Sequence, residues 1–162
     1  EGRGTSGHWE ADFMLFARYG QGLLVLHERQ TRFSIVLHPL DRKAVLTART
    51  IARQLGKLPQ ALRKTISFDN GTEFAEHHRL HNALGVQTFF CDPHSPWQKG
   101  GVENSIGRLR RSLPRKTDLK AITAAALKRL AQRLNDTPRK CLDFKTPAEA
   151  FSKLKSIVAL QT

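Results

Sequence analysis

His8-Trp9-Glu10-Ala11-Asp12-Phe13-Met14-Leu15-Phe16 is an apolar run interrupted by two acids. Its aromatic and aliphatic side chains read as a core β-strand. Side chains in a strand alternate between faces, so Asp12 shares a face with Glu10 and Met14. A carboxylate inside such a strand is costly unless it is paired or bound to a metal ion. On this residue alone, a salt bridge to one of the chain's many arginines competes with a functional role.

Two more strand-like runs follow closely. Gly22 to Arg29 comes after the turn Arg18-Tyr19-Gly20-Gln21-Gly22, and Arg32 to Leu40 comes after the tight connection Gln30-Thr31. This spacing predicts an antiparallel meander. Ala44, Val45, Ala48, Ile51, Ala52 and Leu55 then recur at helical spacing, with Asp41 as a predicted cap and Gly56 as the stop. A short strand, Thr65-Ile66-Ser67-Phe68, runs directly into Asp69-Asn70-Gly71. Gly71 is expected to take a positive φ. Asn70 either orients Asp69 or caps the next helix, which is expected from Thr72 to Leu84 with Gly85 behind it. A fifth strand ends at Cys91. The segment 92–101, Asp-Pro-His-Ser-Pro-Trp-Gln-Lys-Gly-Gly, is made of loop formers, and Pro93 to Gly101 is expected to be mobile without DNA. A helix resumes near Val102, carries Glu103, and breaks at Pro114; a last one runs from Leu119 to Asn135. The tail is punctuated by Pro138 and Pro147, and no helix is assigned there.

The order β-β-β-α-β-α-β-α-α predicts an α/β domain with a mixed five-stranded sheet and helices on both faces. It matches the ribonuclease-H-like fold.

Composition narrows the function. The 162 residues suit one domain, and no apolar run approaches the length that spans a bilayer. There is no initiator Met and no signal-peptide pattern, so the chain is read as a cytoplasmic fragment of a longer protein. Cys91 and Cys141 are too few for a disulfide framework. The net charge of +13 favours a polyanion. From Lys99 to Lys140 there are 12 basic and 3 acidic residues. No basic helix has the aromatic insertion face of a membrane binder, so nucleic acid is the preferred partner. His77, His78, His81, Cys91 and His94 superficially resemble zinc ligands, but neither H-E-x-x-H nor C-x-x-C is present. Trp9 is expected in the core; Trp97, in a loop, is split between packing and stacking on an unpaired base.

Three segments in order carry a resemblance over nearly the whole chain. Gly7-His8-Trp9-Glu10-Ala11-Asp12, then Asp69-Asn70-Gly71-Thr72-Glu73-Phe74, then Pro96 with Gly100 and Glu103, resemble the DDE transposases and retroviral integrases. The insertion-sequence-thirty family of bacterial transposases is the nearest likeness. Between Asp69 and Glu103 lie 33 residues, a separation this family shows. Asn135, Pro138, Arg139, Lys140 and Leu142 resemble its tail. The resemblance implies that Asp12, Asp69 and Glu103 are catalytic ligands for two Mg²⁺ (or Mn²⁺) ions, with Asp12 bridging. It implies nicking at transposon ends and transfer of the freed 3′-hydroxyl into target DNA, in a homodimer or larger complex. Lys99, Arg108, Arg110 and Arg111 are expected to hold DNA phosphates, against the plainer reading of a solvated basic face. Asn70, Gly71 and Asn104 are expected to support the acids. Glu10 is a lesser competitor as ligand, and Glu73 is assigned to a helix start. A non-catalytic DNA-binding module with a decayed site is opposed by the intact acids. A junction-resolving or RNA-cleaving nuclease of the same fold is opposed by the P-x-x-x-G-x-x-E segment.

Overall fold

The computed structural model describes residues 4–18 and 20–161. Tyr19, placed above in the first turn, lies outside the described residues. Five strands form one sheet: β1 (His8–Leu15), β2 (Gly22–Glu28), β3 (Ser34–Leu37), β4 (Thr65–Phe68) and β5 (Gln87–Phe90). Their order across the sheet is β3-β2-β1-β4-β5. The meander pairs antiparallel, while β4 joins β1, and β5 joins β4, in parallel. This is the mixed five-stranded sheet that the element order predicts.

Alternation along β1 divides the core. Trp9, Ala11 and Phe13 face a cluster shared with α1 (Ala44–Leu55), α2 (His78–Leu84) and Phe151 of α5 (Pro147–Leu160). Met14 faces the other way, into a cluster with Val102 and Leu109 of α3 (Gly100–Leu109) and Leu134 of α4 (Ala124–Asn135). Both faces of the sheet are therefore covered, and Glu10 and Asp12 lie on the α3 face. Trp9 is fully buried, and its indole N–H donates to the Leu62 carbonyl at 2.8 Å.

Several local expectations need correction. The helix expected over 72–84 is a 3-10 turn at Thr72–Phe74 followed by α2. Gly71 has φ −66°, not a positive value. Gly56 and Gly85 do stop α1 and α2 as expected, Gly56 at φ −62° and Gly85 left-handed at φ 70°. Asp41 does not cap α1: its carboxylate accepts from the Lys43 N–H at 2.8 Å, and it lies two residues before the N-cap position. The helix expected over 119–135 starts as a 3-10 turn at Leu119–Ala121, and α4 begins after Thr123, whose hydroxyl accepts from the Ala126 N–H. The proline-punctuated tail contains α5. Pro147 sits in its first turn, where the missing N–H costs nothing, and Thr146 and Glu149 form a reciprocal capping box.

Candidate active site

Asp12 and Asp69 meet because of strand register. Glu10 of β1 pairs with Ser67 of β4, so two residues further along each chain the two aspartates stand at the same end of neighbouring parallel strands. Lys99 closes the group. It ends the 3-10 turn Pro96–Lys99 and points inward, with its side chain 7% exposed. Its ammonium donates to Asp12 Oδ2 at 2.9 Å and lies 3.6 Å from Asp69 Oδ2. Burial pulls the Lys99 ammonium down, but the Asp12 hydrogen bond and the charges of Asp12 and Asp69 more than reverse this, leaving it above the ordinary lysine value. Two carboxylates thus converge on one cation.

Each aspartate is also fixed by backbone. Asp12 Oδ1 accepts from the Phe13 N–H at 2.8 Å. Asp69 Oδ1 accepts from the Gly71 N–H at 2.9 Å, a tight local turn. Gly71 is needed for space, because a Cβ there would lie 2.4 Å from Glu73 Oε2 and 2.9 Å from Asp69 Oδ1. Asn70 neither orients Asp69 nor caps a helix; its side-chain amide donates to the Cys91 carbonyl at 3.3 Å, across to the end of β5. Glu73 pairs with Arg42 at 3.5 Å.

Glu10 has a separate task. One oxygen accepts from the Val102 N–H at 2.8 Å, in the first turn of α3, and the other pairs with Arg29 at 3.2 Å. Glu10 therefore docks the N-terminus of α3 against β1. Gly101 permits the close approach: a Cβ there would lie 2.6 Å from the His27 ring and 3.1 Å from Glu10 Oε2.

Glu103 is not brought to the aspartates. It is exposed in the first turn of α3 and forms no hydrogen bond or ion pair with either of them. Among the described residues, no three His, Cys, Asp or Glu side chains are grouped so as to hold a metal ion. Within the segment 92–101, Asp92 and Gln98 are linked and the Trp97 ring is not packed. Gln98 accepts from the Asp92 N–H at 2.7 Å and donates to Asp92 Oδ2 at 3.0 Å, and Trp97 is 70% exposed.

The basic residues diverge. Arg108 donates to Asn104 Oδ1 at 3.0 Å, and Arg111 is exposed. Arg110 folds back, with its guanidinium donating to the Leu15 carbonyl and lying 4.9 Å from the centre of the Phe16 ring. His77 is engaged by Thr88 at 2.7 Å and packs edge-on to Phe90. The inward Lys99 and the docking role of Glu10 escape sequence reasoning. The available signals were an acid one alternation before Asp12, on the same face, and a lysine immediately before two glycines that let the chain pack closely.

Residues 3–96 match the family model described as the integrase core domain. The chain belongs to the integrase core domain family. This integrase core is 38% identical, over 148 residues, to the transposase for insertion sequence element IS1086 of Cupriavidus metallidurans, covering 91% of the chain and 44% of that protein. It is 36% identical, over 153 residues, to transposase InsI for insertion sequence element IS30C of Escherichia coli, covering 94% of the chain and 40% of that protein. The chain thus spans less than half the length of these curated relatives. The catalytic core domain of BIV integrase superposes with a TM-score of 0.71 at 20% identity, covering 95% of this chain and 99% of that one. The shared fold is that of a retroviral integrase core, the ribonuclease-H-like architecture, and the relatives are transposases, as the three motifs imply. No helix among the described residues is long and apolar enough to cross a membrane.

Proposed function

We propose that this integrase core is the catalytic centre of a DNA transposase, nicking at transposon ends and transferring the 3′-hydroxyl into target DNA within a homodimeric or larger complex. The observation that carries the reading is the convergence of Asp12 and Asp69 on a single ammonium group. Hard oxygen donors aimed at one cation suit Mg²⁺ or Mn²⁺, so the residues fit the metal that the chemistry requires. Asp12 and Asp69 would hold the ions, and Glu103 would join them from the first turn of α3. When bound, two such ions activate an attacking oxygen and stabilise a leaving one.

The chain's own residues divide the remaining work. The short turns at Phe13 and Gly71 fix one oxygen of each aspartate, and the other faces the Lys99 ammonium, where a ligand would replace it. Lys99 neutralises the pair until it is displaced, and its ammonium then becomes available to a DNA phosphate. Arg111 and Arg108, at the outer end of α3, would position the strand through phosphate contacts. Arg110, committed to the end of β1, would serve by holding that strand end in place.

Asp12→Asn, Asp69→Asn and Glu103→Gln are each expected to abolish Mg²⁺-dependent nicking and strand transfer in an oligonucleotide assay while the melting transition stays cooperative. Wild-type nicking by any one of them removes that residue from the ligand set.

A further inference from the structure

Three arginines line one cavity without an ion-pair partner among the described residues. Arg32 from the β2–β3 turn, Arg108 from α3 and Arg139 beyond α4 line one cavity of about 280 Å³, together with His27, Gly101 and Asn104. No carboxylate lines it, and among the described residues none of the three arginines forms an ion pair. Glu10, whose carboxylate lies beside Gly101, is committed to Arg29 and to the Val102 N–H.

Two of the lining groups are buried with a nitrogen left without a partner. Arg139 is 9% exposed; one terminal nitrogen donates to the Leu134 carbonyl at 3.1 Å, while its Nε is buried without a partner. His27 is 3% exposed. Its Nδ1 lies 3.1 Å from the Ser34 hydroxyl and 3.0 Å from that of Ser105, and its Nε2 is buried without a partner beside Gly101. A hydroxyl donating to Nδ1 leaves the proton on Nε2. Burial first, then Arg32, Arg139 and Arg29, push the His27 imidazole down to about 3, so it stays neutral. Buried donors without acceptors are costly to a fold unless a ligand supplies the acceptor. Arg108 and Arg139 also border a second groove of about 290 Å³ with Arg111 and Arg133, so the basic surface continues along α3 and α4.

We propose that this cavity binds a phosphodiester group of a DNA strand, with Arg32 and Arg108 as the partly exposed arms and Arg139 and His27 as the buried floor. Planar guanidinium forks match phosphate oxygens, and a trough that continues past the cavity fits a repeating polyanion better than a single small anion. The identity of the polyanion rests on the DNA reading above; the anion site itself does not. Because α3 carries both Arg108 and Glu103, a strand held here is fixed relative to the candidate active site.

Two measurements on this chain test the proposal. Arg32→Gln/Arg108→Gln is the variant of choice, since it spares the buried floor, and an unchanged Tm in chloride shows that the fold is kept. Inorganic phosphate, against chloride at matched ionic strength, is expected to raise the native Tm saturably and not to raise that of the double variant. In anisotropy titrations of a short DNA duplex, the slope of log affinity against log salt is expected to fall by about 0.9 in the double variant, the value for one phosphate. Arg49→Gln/Arg53→Gln, on the exposed face of α1, should leave that slope unchanged. An equal phosphate response in native and double variant overturns the site. A lost phosphate response with an unchanged DNA slope overturns the assignment to DNA. A native chain that binds no DNA, with the phosphate response still lost in the double variant, overturns that assignment together with the proposed function while the anion site stands.

Discussion

Lys99 places a positive charge between two carboxylates that come from different strands, and its neighbours decide what its removal does. In Lys99→Met, Asp12 and Asp69 would face each other with no counter-charge. Asp69 is 46% exposed, so solvent shares the cost, and the variant should lose about 1–3 kcal/mol, less than a fully buried pair would. The same change frees the carboxylates for a divalent cation. Mn²⁺ is therefore expected to raise the Tm of Lys99→Met by more than that of the native chain. Equal Mn²⁺ responses in thermal melts would show that the ammonium does not compete for the site. His27 offers a second test, through pH. Its folded value of about 3 lies below the ordinary 6.5. The folded state then binds fewer protons than the unfolded state between those values, so stability is present above about pH 6.5 and is lost as pH falls. Between pH 7 and 5 this residue should cost at most about 2 kcal/mol, at 1.36 kcal/mol per unit. Urea melts of native chain and His27→Gln at both pH values isolate the effect; identical losses would mean that His27 titrates normally. Asp12, Asp69 and Glu103 were legible as residues because their motifs are local. The reason for Gly71 was not: its φ of −66° needs no glycine, and only the proximity of Glu73 and Asp69 explains it.

Among the elements, α3 is fixed at its first turn. Glu10 accepts from its Val102 N–H, His27 packs against Gly101 and bonds to the helix's own Ser105, and the inner face buries Val102 and Leu109. Gly101→Ala would drive a methyl group to 2.6 Å from the His27 ring. Overpacking of this kind should destabilise by about 1–3 kcal/mol. Gly100→Ala is the control, because nothing lies within 4 Å of a Cβ at that position. Similar denaturant midpoints for the two variants would refute the close-packing account. Sequence periodicity found the sheet and α1, whose patterns are local. It missed α5, although Thr146 and Glu149 spell a capping box, because Pro147 reads as a breaker unless it falls in the first turn.

Across the whole molecule, two of the three expected ligands are joined and the third is apart. The strand pairing that places Asp12 beside Asp69 follows from the element order and was foreseeable. The position of Glu103 depends on how α3 docks, which no local pattern encodes. If the three acids act together, the first turn of α3 must shift or re-form when metal and DNA bind. Hydrogen exchange over residues 96–104 should therefore slow on adding Mn²⁺ with DNA. Protection that is already high in the free chain, and unaffected by both, would rule this rearrangement out.

The parallel pairing of β1 with β4 has a kinetic side. Asp12 and Asp69 are 57 residues apart in the chain, and the connection between their strands includes two further strands and α1. A contact of that separation carries a large loop-closure entropy and forms slowly compared with the hairpins of the meander. The early hairpins can assemble while the aspartates are still far from each other. The step that seats β4 against β1 commits the chain to its topology and, in the same event, brings Asp12 beside Asp69. A nascent or partly folded chain therefore keeps the two aspartates apart, and any chemistry that needs both of them waits for the complete topology.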